Sequence, residues 1–469
     1  MTIFRHKYWP AVKRCTGLDR VVGYTVTARG LQIIGSTGTV LLIAHFLTPI
    51  QQGIYYTLLS LMALQTIFEL GFSFVILQSA AHESVHLTFH PCGAVEGDPV
   101  VHARLASILQ LTFRWYLRAA AAFVVILLPL GIVFFSRRTQ DTSNVDWLGP
   151  WISAVLATSI TFLLTPFYSF LEGCKEIKQV AMLRVQQATM IVVLSWAAIS
   201  TGHGLYACAL VNLGAIAVGL YFLAGRRALL LSLLRCPVGK NGVSWRHEVW
   251  PFQWRTAVTW LCSYFTMQIF TPVLFWYRGA ADAGKMGLTL SIVGILPVVV
   301  LSWIAPKATP FGHFVKTGRL RELDKLFFRT LKQSVALIAL LAVACLGAVV
   351  ALQHMMPKLA ARMENPMVFF ILLLTAIGSF VTQGMAVYLR SFKKEPYLKQ
   401  SIAVAAVTLI GVLLVAKHWG NEGVAIVYFI CTGIVGFAWS VAIFQHQREL
   451  FRRKQSPDPE LATNIFVAN

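Results

Sequence analysis

Twelve apolar stretches recur along this chain, each near the ~20 residues that a helix needs to cross a hydrocarbon layer. They fall around residues 31–48, 54–78, 119–135, 151–170, 187–200, 205–223, 257–277, 286–304, 334–353, 367–388, 400–416 and 424–444. The segments between them alternate in charge. Residues 1–30, 79–118, 171–186, 224–256, 305–333, 389–399 and 445–469 hold 33 of the 40 Lys and Arg, which leaves 7 for everything else. By the positive-inside rule those basic segments, and both termini, belong in the cytoplasm of a bacterial inner-membrane protein. Only 13% of the residues are charged and 57% are hydrophobic, whereas a soluble domain carries roughly 25% charged residues. The expected fold is all-α and polytopic.

A formal charge of +21 would point to nucleic acid in a soluble protein. Here the basic residues sit in short loops, where topology and anionic headgroups account for them, so membrane lipids are expected partners and nucleic acid is not. Residues 1–22 are basic with scattered apolar positions and no signal-peptide core, which predicts an amphipathic segment on the cytoplasmic leaflet. The eight cysteines are dispersed with no C-x-x-C pair, so neither a disulfide framework nor a zinc ribbon is expected.

The chain reads as a duplication. Residues 53–61 open the second apolar stretch and residues 284–292 open the eighth, each with a Gly followed seven residues later by a Ser, at an offset of 231. Six helices per half keep both halves in one orientation, the arrangement of parallel repeats in transporters. The expected organisation is a six-helix lobe over 1–223, a basic linker over 224–256, a second lobe over 257–444 and a cytoplasmic tail over 445–469.

Two enzyme-like motifs fail on context. His82-Glu83-Ser84-Val85-His86 matches H-E-x-x-H, and His90 and Cys92 follow. It lies past the end of a span, however, and no later span supplies a third carboxylate ligand, so no metal is expected. Gly279 to Lys285 resembles a phosphate loop, but Met286 stands where Ser or Thr would hold magnesium. No cofactor or catalytic residue is expected.

Charges within the apolar stretches are more informative, since each costs ~2.5–3.5 kcal/mol or more unless it faces protein or water. Glu69 lies deep in the second stretch and His45 late in the first, while Arg29 and Arg255 stand at the cytoplasmic mouths of the first and seventh. The arginines serve equally well as snorkelling anchors. The seventh stretch is rich in rings and amides, including Trp260, Tyr264, Gln268 and Trp276. Aromatic residues at helical spacing suit packing or an interfacial belt; with Gln268 and the arginines they also suit a sugar and its phosphate.

Glu248-Val-Trp-Pro-Phe-Gln-Trp-Arg255, Pro272-Val273-Leu274-Phe275 and Ala283-Gly284-Lys285-Met286-Gly287 resemble the polysaccharide and O-antigen flippases of the multidrug/oligosaccharidyl-lipid/polysaccharide exporter superfamily. Gln52-Gly53-Ile-Tyr-Tyr, Phe68-Glu69-Leu70-Gly71, Leu171-Glu172-Gly173 and Glu96-Gly97-Asp98-Pro99 are similar too, so the resemblance runs over roughly residues 25–330. It implies a twelve-helix, two-lobed carrier that moves an undecaprenyl-diphosphate-linked glycan to the outer leaflet, alongside the polysaccharide polymerase machinery. Arg29, Arg255 and Lys307 would then attract the diphosphate; Tyr264, Gln268 and Trp276 would bracket sugars, and Glu69 would couple transport. Pro272, Pro297 and Pro306 would loosen the seventh and eighth spans. The competing readings are a cation-coupled drug exporter of the same superfamily and a membrane glycan polymerase or ligase. External segments 136–150 and 354–366 are too short to enclose the catalytic site that the last would need.

Overall fold

The structure, a computed structural model, describes residues 20–85, 87–89, 95–137, 145–237, 243–244, 250–304, 307, 310–311, 314–315, 317–392 and 396–454. It divides into two compact units, Met1–Leu261 and Cys262–Asn469.

The N-terminal unit begins with α1 (Arg20–Phe46), which starts well before the expected residue 31. Arg29 therefore lies inside the helix, with its side chain exposed. Residues 1–19 of the expected interfacial segment lie outside the described residues. The second span is three pieces rather than one helix: α2 (Pro49–Met62), α3 (Gln65–Glu69) and α4 (Phe72–Ser84). A capping box starts α2, in which Thr48 Oγ1 accepts from the Gln51 N–H at 3.2 Å and Gln51 Oε1 accepts from the Thr48 N–H at 3.0 Å. The break before α4 comes from Leu70 and Gly71, whose φ angles of +52° and +64° put two consecutive residues in the left-handed region. No helix continues through such a pair, and for leucine the conformation is strained.

A short antiparallel hairpin follows, β1 (Leu87–Phe89) and β2 (Val95–Gly97), with Thr88 opposite Glu96. Asp98 caps α5 (Pro99–Ser136) through its bond from the Val100 N–H at 2.9 Å, and Pro99 sits where its missing donor costs nothing. At 1.5 Å per residue this 38-residue helix is about 57 Å long, well beyond the ~30 Å hydrocarbon core. Most of the expected loop 79–118 is thus helix, its first residues in α4 and its second half in α5. It serves as a platform for α9 (Arg227–Arg235), where Gln110 Nε2 donates to the carbonyls of Leu233 at 3.1 Å and Cys236 at 2.8 Å, satisfying acceptors that the helix end leaves open. Between them run α6 (Leu148–Gly173), α7 (Ile177–Ser200) and α8 (Ala207–Ala224).

In sequence order, α10 (Trp250–Met267), which crosses the unit boundary, leads into α11 (Phe270–Arg278), α12 (Ala280–Ile304), α13 (Leu320–Met355), α14 (Pro357–Ala360), α15 (Pro366–Arg390) and α16 (Leu398–Tyr428). A π-helical stretch, Phe429–Gly436, then joins α16 to α17 (Phe437–Lys454). Ten described stretches are long and apolar enough to cross a bilayer; the last, Leu398–Arg452, is folded in two at Gly420, where φ is +55° and ψ is −139°. Counting that stretch twice and adding the broken second span returns the expected twelve.

The two units share their internal packing. In each, the second span lies against the third and fourth, the third against the fourth, and the sixth against the fourth and fifth. Side-chain hydrogen bonding is a weak glue between helices in lipid, so small residues at the crossings do much of the work. In the first unit Gly131 receives the Trp151 ring and Gly219 faces the Tyr168 hydroxyl; in the second, Gly378 faces Gly433. The common packing pattern is what a duplicated six-helix repeat requires.

The beginning of the expected tail is part of the second unit. α17 carries Arg448 and Arg452 to the buried carboxylate of Asp324 on α13. Arg448 Nε and Nη2 donate to its two oxygens at 3.1 and 2.9 Å, Arg452 adds another bond, and Tyr388 donates from α15 at 2.8 Å. Around this knot Phe311, Phe327, Tyr388 and Phe444 form an aromatic core.

Candidate functional site

Glu69 ends α3, one residue before the left-handed pair, so its carboxylate lies at the N-terminal end of α4. That is where a half-helix presents unpaired N–H groups and the positive end of its dipole. Ser73, in the first turn of α4, is within hydrogen-bonding reach of the carboxylate, and its hydroxyl lies 3.0 Å from the Tyr116 hydroxyl of α5. With Glu69 ionised, and so only accepting, the chain would run from Tyr116 donating to Ser73 to Ser73 donating to Glu69; with Glu69 protonated, the Ser73–Tyr116 bond can run either way. Aromatic rings pack at the Tyr116 end of this chain, where Phe72 stacks on Tyr116 and Phe162 tilts against it, and Phe68, next to Glu69 in sequence, meets Phe123 edge-on. Among the described residues no cation pairs with Glu69. The arrangement is a half-buried acid on a hydroxyl relay, suited to gaining and losing a proton or to taking a cation.

The break in the seventh span follows from Pro272. Its ring excludes the carbonyl of the residue four earlier and it offers no N–H; that residue is Gln268, where α10 has just ended. Helix resumes at Phe270 with the Val273 N–H bonded to the Ile269 carbonyl at 3.1 Å. Gln268 is exposed at this joint, Tyr264 is buried one turn earlier, and Trp276 is half-buried on α11. Pro297, by contrast, lies inside α12 without ending it, and Pro306 is outside the described residues. Lys307 is half-buried. The side chain of Arg255 falls outside what the structure describes.

The predicted residues thus divide by unit. Arg29 and Glu69 lie on the first two spans of the N-terminal unit; Tyr264, Gln268, Trp276 and Lys307 lie in the C-terminal one. Of these, Tyr264 and Gln268 are joined directly, by the Gln268 N–H to the Tyr264 carbonyl at 2.8 Å. The motif Phe68-Glu69-Leu70-Gly71 was legible, but not that it breaks a helix. Its signal is a Leu-Gly pair directly after a charge in an otherwise apolar run.

The enzyme-like motifs take ordinary places. Glu83 is held by Arg104 at 2.9 Å and His82 is exposed; His86, His90 and Cys92 lie outside the described residues. Among the described residues no three His, Cys, Asp or Glu converge as metal ligands. Gly279, with φ of +103°, is a one-residue joint between α11 and α12, and Lys285 already lies within α12.

Twelve apolar spans, in two units of like packing and with helices broken at mid-course, define an all-α polytopic membrane fold. Neither a known family profile nor a curated protein sequence matches the chain. Solved structures do. The lipid II flippase MurJ in an inward closed conformation aligns with a TM-score of 0.64 at 10% identity, over 95% of each chain. The eukaryotic MATE transporter AtDTX14 gives 0.57 at 12% identity, over 93% of this chain and 98% of that one. An outward-facing multidrug resistance MATE family transporter of the MOP superfamily gives 0.55 at 13% identity, over 92% and 96%. The chain therefore has the fold of the MOP-superfamily transporters.

Proposed function

We propose that this protein is a flippase, carrying a polyprenyl-diphosphate-linked glycan from the cytoplasmic to the outer leaflet by alternating access. The observation that carries this reading is the fold shared with a lipid II flippase over 95% of both chains, joined to the sequence resemblance to polysaccharide flippases. Arg29, Arg255 and Lys307 would draw the diphosphate, and Tyr264, Gln268 and Trp276 would face the sugars. The polyprenyl tail would stay in lipid. Such a carrier needs no covalent chemistry. Its partners would be anionic lipids and the polymerase machinery that consumes the glycan. Mass spectrometry of polyprenyl-linked glycans in a deletion strain tests it: accumulation of one species supports the reading, and an unchanged lipid-linked pool removes it.

The likeness to MATE transporters favours a second reading, a cation-coupled exporter of amphipathic drugs with Glu69 as the coupling group. Increased retention of a fluorescent cationic dye in the same strain, without glycan accumulation, would select it.

In either reading Glu69→Gln is expected to reduce transport at least tenfold at matched protein abundance, because an amide neither titrates nor carries the charge that the Ser73 hydroxyl serves. A tenfold loss corresponds to about 1.4 kcal/mol. Normal flux across a range of pH would remove Glu69 from coupling.

Arg255 tests the diphosphate assignment. A guanidinium grips two phosphate oxygens in a planar fork and an ammonium does not. Arg255→Lys is expected to lose most of the flux while Arg255→Glu loses it all. Wild-type flux in the lysine variant would leave Arg255 as a topology anchor. For the topology itself, a cysteine placed at 95 should escape an impermeant reagent in intact cells.

A further inference from the structure

The end of the C-terminal unit away from Asp324 gathers polar groups from several stretches of chain. Glu364, in the connection between α14 and α15, is only 7% exposed. Its N–H donates to Thr289 Oγ1 of α12 at 3.1 Å, and its carboxylate accepts from Asn421 Nδ2. The same amide nitrogen donates to the Asp282 carbonyl at 3.0 Å. Asn421 directly follows the bend at Gly420, where the Arg278 guanidinium also lies. The other end of this amide is the anomaly: Asn421 Oδ1 is buried and has no hydrogen-bond partner among the described residues.

A buried acceptor left unpaired beside a carboxylate is a poor arrangement, since an ionised carboxylate has no hydrogen to give. A protonated carboxyl does. The neighbours pull in both directions, and the bond from Asn421 Nδ2 itself supports the ion. Lys285 supports the ion, while Asp282 and Glu422 oppose it. Arg278 is engaged by Asp282 at 3.3 Å, and Glu422 is held by Asn365 at 2.9 Å; Arg362 stands two residues away on the same connection. Burial outweighs them all and pushes the Glu364 carboxyl up to about 7.

We propose that Glu364 and Asn421 form a proton-binding pair. With the proton bound, the carboxyl O–H donates to Asn421 Oδ1 while its other oxygen accepts from Asn421 Nδ2. That two-bond ring clamps the Gly420 bend to the connection between α14 and α15. Ionisation removes the O–H and opens half of the ring. The sign follows: a carboxyl whose pKa is raised above its ordinary 4.5 holds the clamp fully below that value and loses it as pH rises through about 7. The pair would thus make this end of the unit sensitive to the pH on its side of the membrane. It rests on contacts within one unit and not on the identity of the cargo.

Infrared difference spectroscopy of the full-length protein in nanodiscs, titrated from about pH 5 to about pH 9, tests it without any transport assay. The expected result is a protonated-carboxyl C=O band that disappears with a midpoint near 7. The band should be absent in Glu364→Gln and displaced in Asn421→Leu, which leaves the carboxyl without its partner. Glu364→Gln supplies a second readout, because its carboxamide makes both bonds at every pH. Wild-type thermal stability should fall as pH rises through the midpoint, and that part of the fall should vanish in the Gln variant. Absence of a titrating band lost in Glu364→Gln, or a band and midpoint unchanged in Asn421→Leu, overturns the proposal.

Discussion

Asp324→Ala is expected to destabilise the C-terminal unit by about 3 kcal/mol, the lower part of the range for breaking a buried ion pair from one side. The buried carboxylate collects Arg448, Arg452 and Tyr388 from two other helices; removing it leaves two guanidiniums facing each other and a phenol without its acceptor. The low end applies because the arginines are partly exposed, Arg452 by about half, and water can solvate them. Thermal unfolding of the purified protein in detergent measures the loss. The double variant Asp324→Ala/Arg448→Met should recover part of it, since it removes an orphaned charge along with the partner. A single variant as stable as wild type would mean that the knot contributes nothing to holding α17 in place.

Gly131→Val is expected to be at least as damaging, at about 3 kcal/mol. A Cβ at this position would collide with the indole of Trp151. That ring is fully buried, fixed by its Nε1–H bond to the Leu128 carbonyl at 3.0 Å and packed edge-on against Phe135. Neither the ring nor the α5 backbone has room to yield. The damage should appear as low abundance of folded protein in the membrane and early thermal unfolding. Gly30→Val is the control, because a Cβ there meets nothing within 4 Å; it should fold at close to wild-type yield. Similar losses in both would mean that helix propensity, and not the close approach of α5 to α6, limits stability.

Why such positions differ could not be read from the sequence. Gly30 and Gly131 both sit in apolar helices, and their local sequences do not say which faces an indole. Glu69 was legible as a charge in an apolar run, and the cost of burying it demanded a partner. That the partner is a hydroxyl relay through Ser73 to Tyr116, forty-three residues further on, depends on α4 lying against α5. The break beside it was missed because hydropathy averages over about a turn or more and does not register two residues of left-handed backbone. The break in the seventh span was better marked, by Pro272, although Pro297 within α12 shows that a proline alone does not end a helix.

The sequence by itself determined the solvent and the count of elements. Burial of apolar side chains in hydrocarbon, satisfaction of every backbone group within a helix and retention of positive charge in loops are local costs, paid residue by residue. The expected twelve spans follow from them, as does the all-helical fold. The tertiary structure alone decided which helices touch and which polar groups they enclose. Asp324 meets arginines more than a hundred residues away, and Glu364 meets Asn421 across α15 and α16. In lipid there is no hydrophobic drive between helices, so those choices rest on the fit of small residues, rings and buried hydrogen bonds. Such fit is a property of pairs of surfaces, which no single stretch of sequence contains.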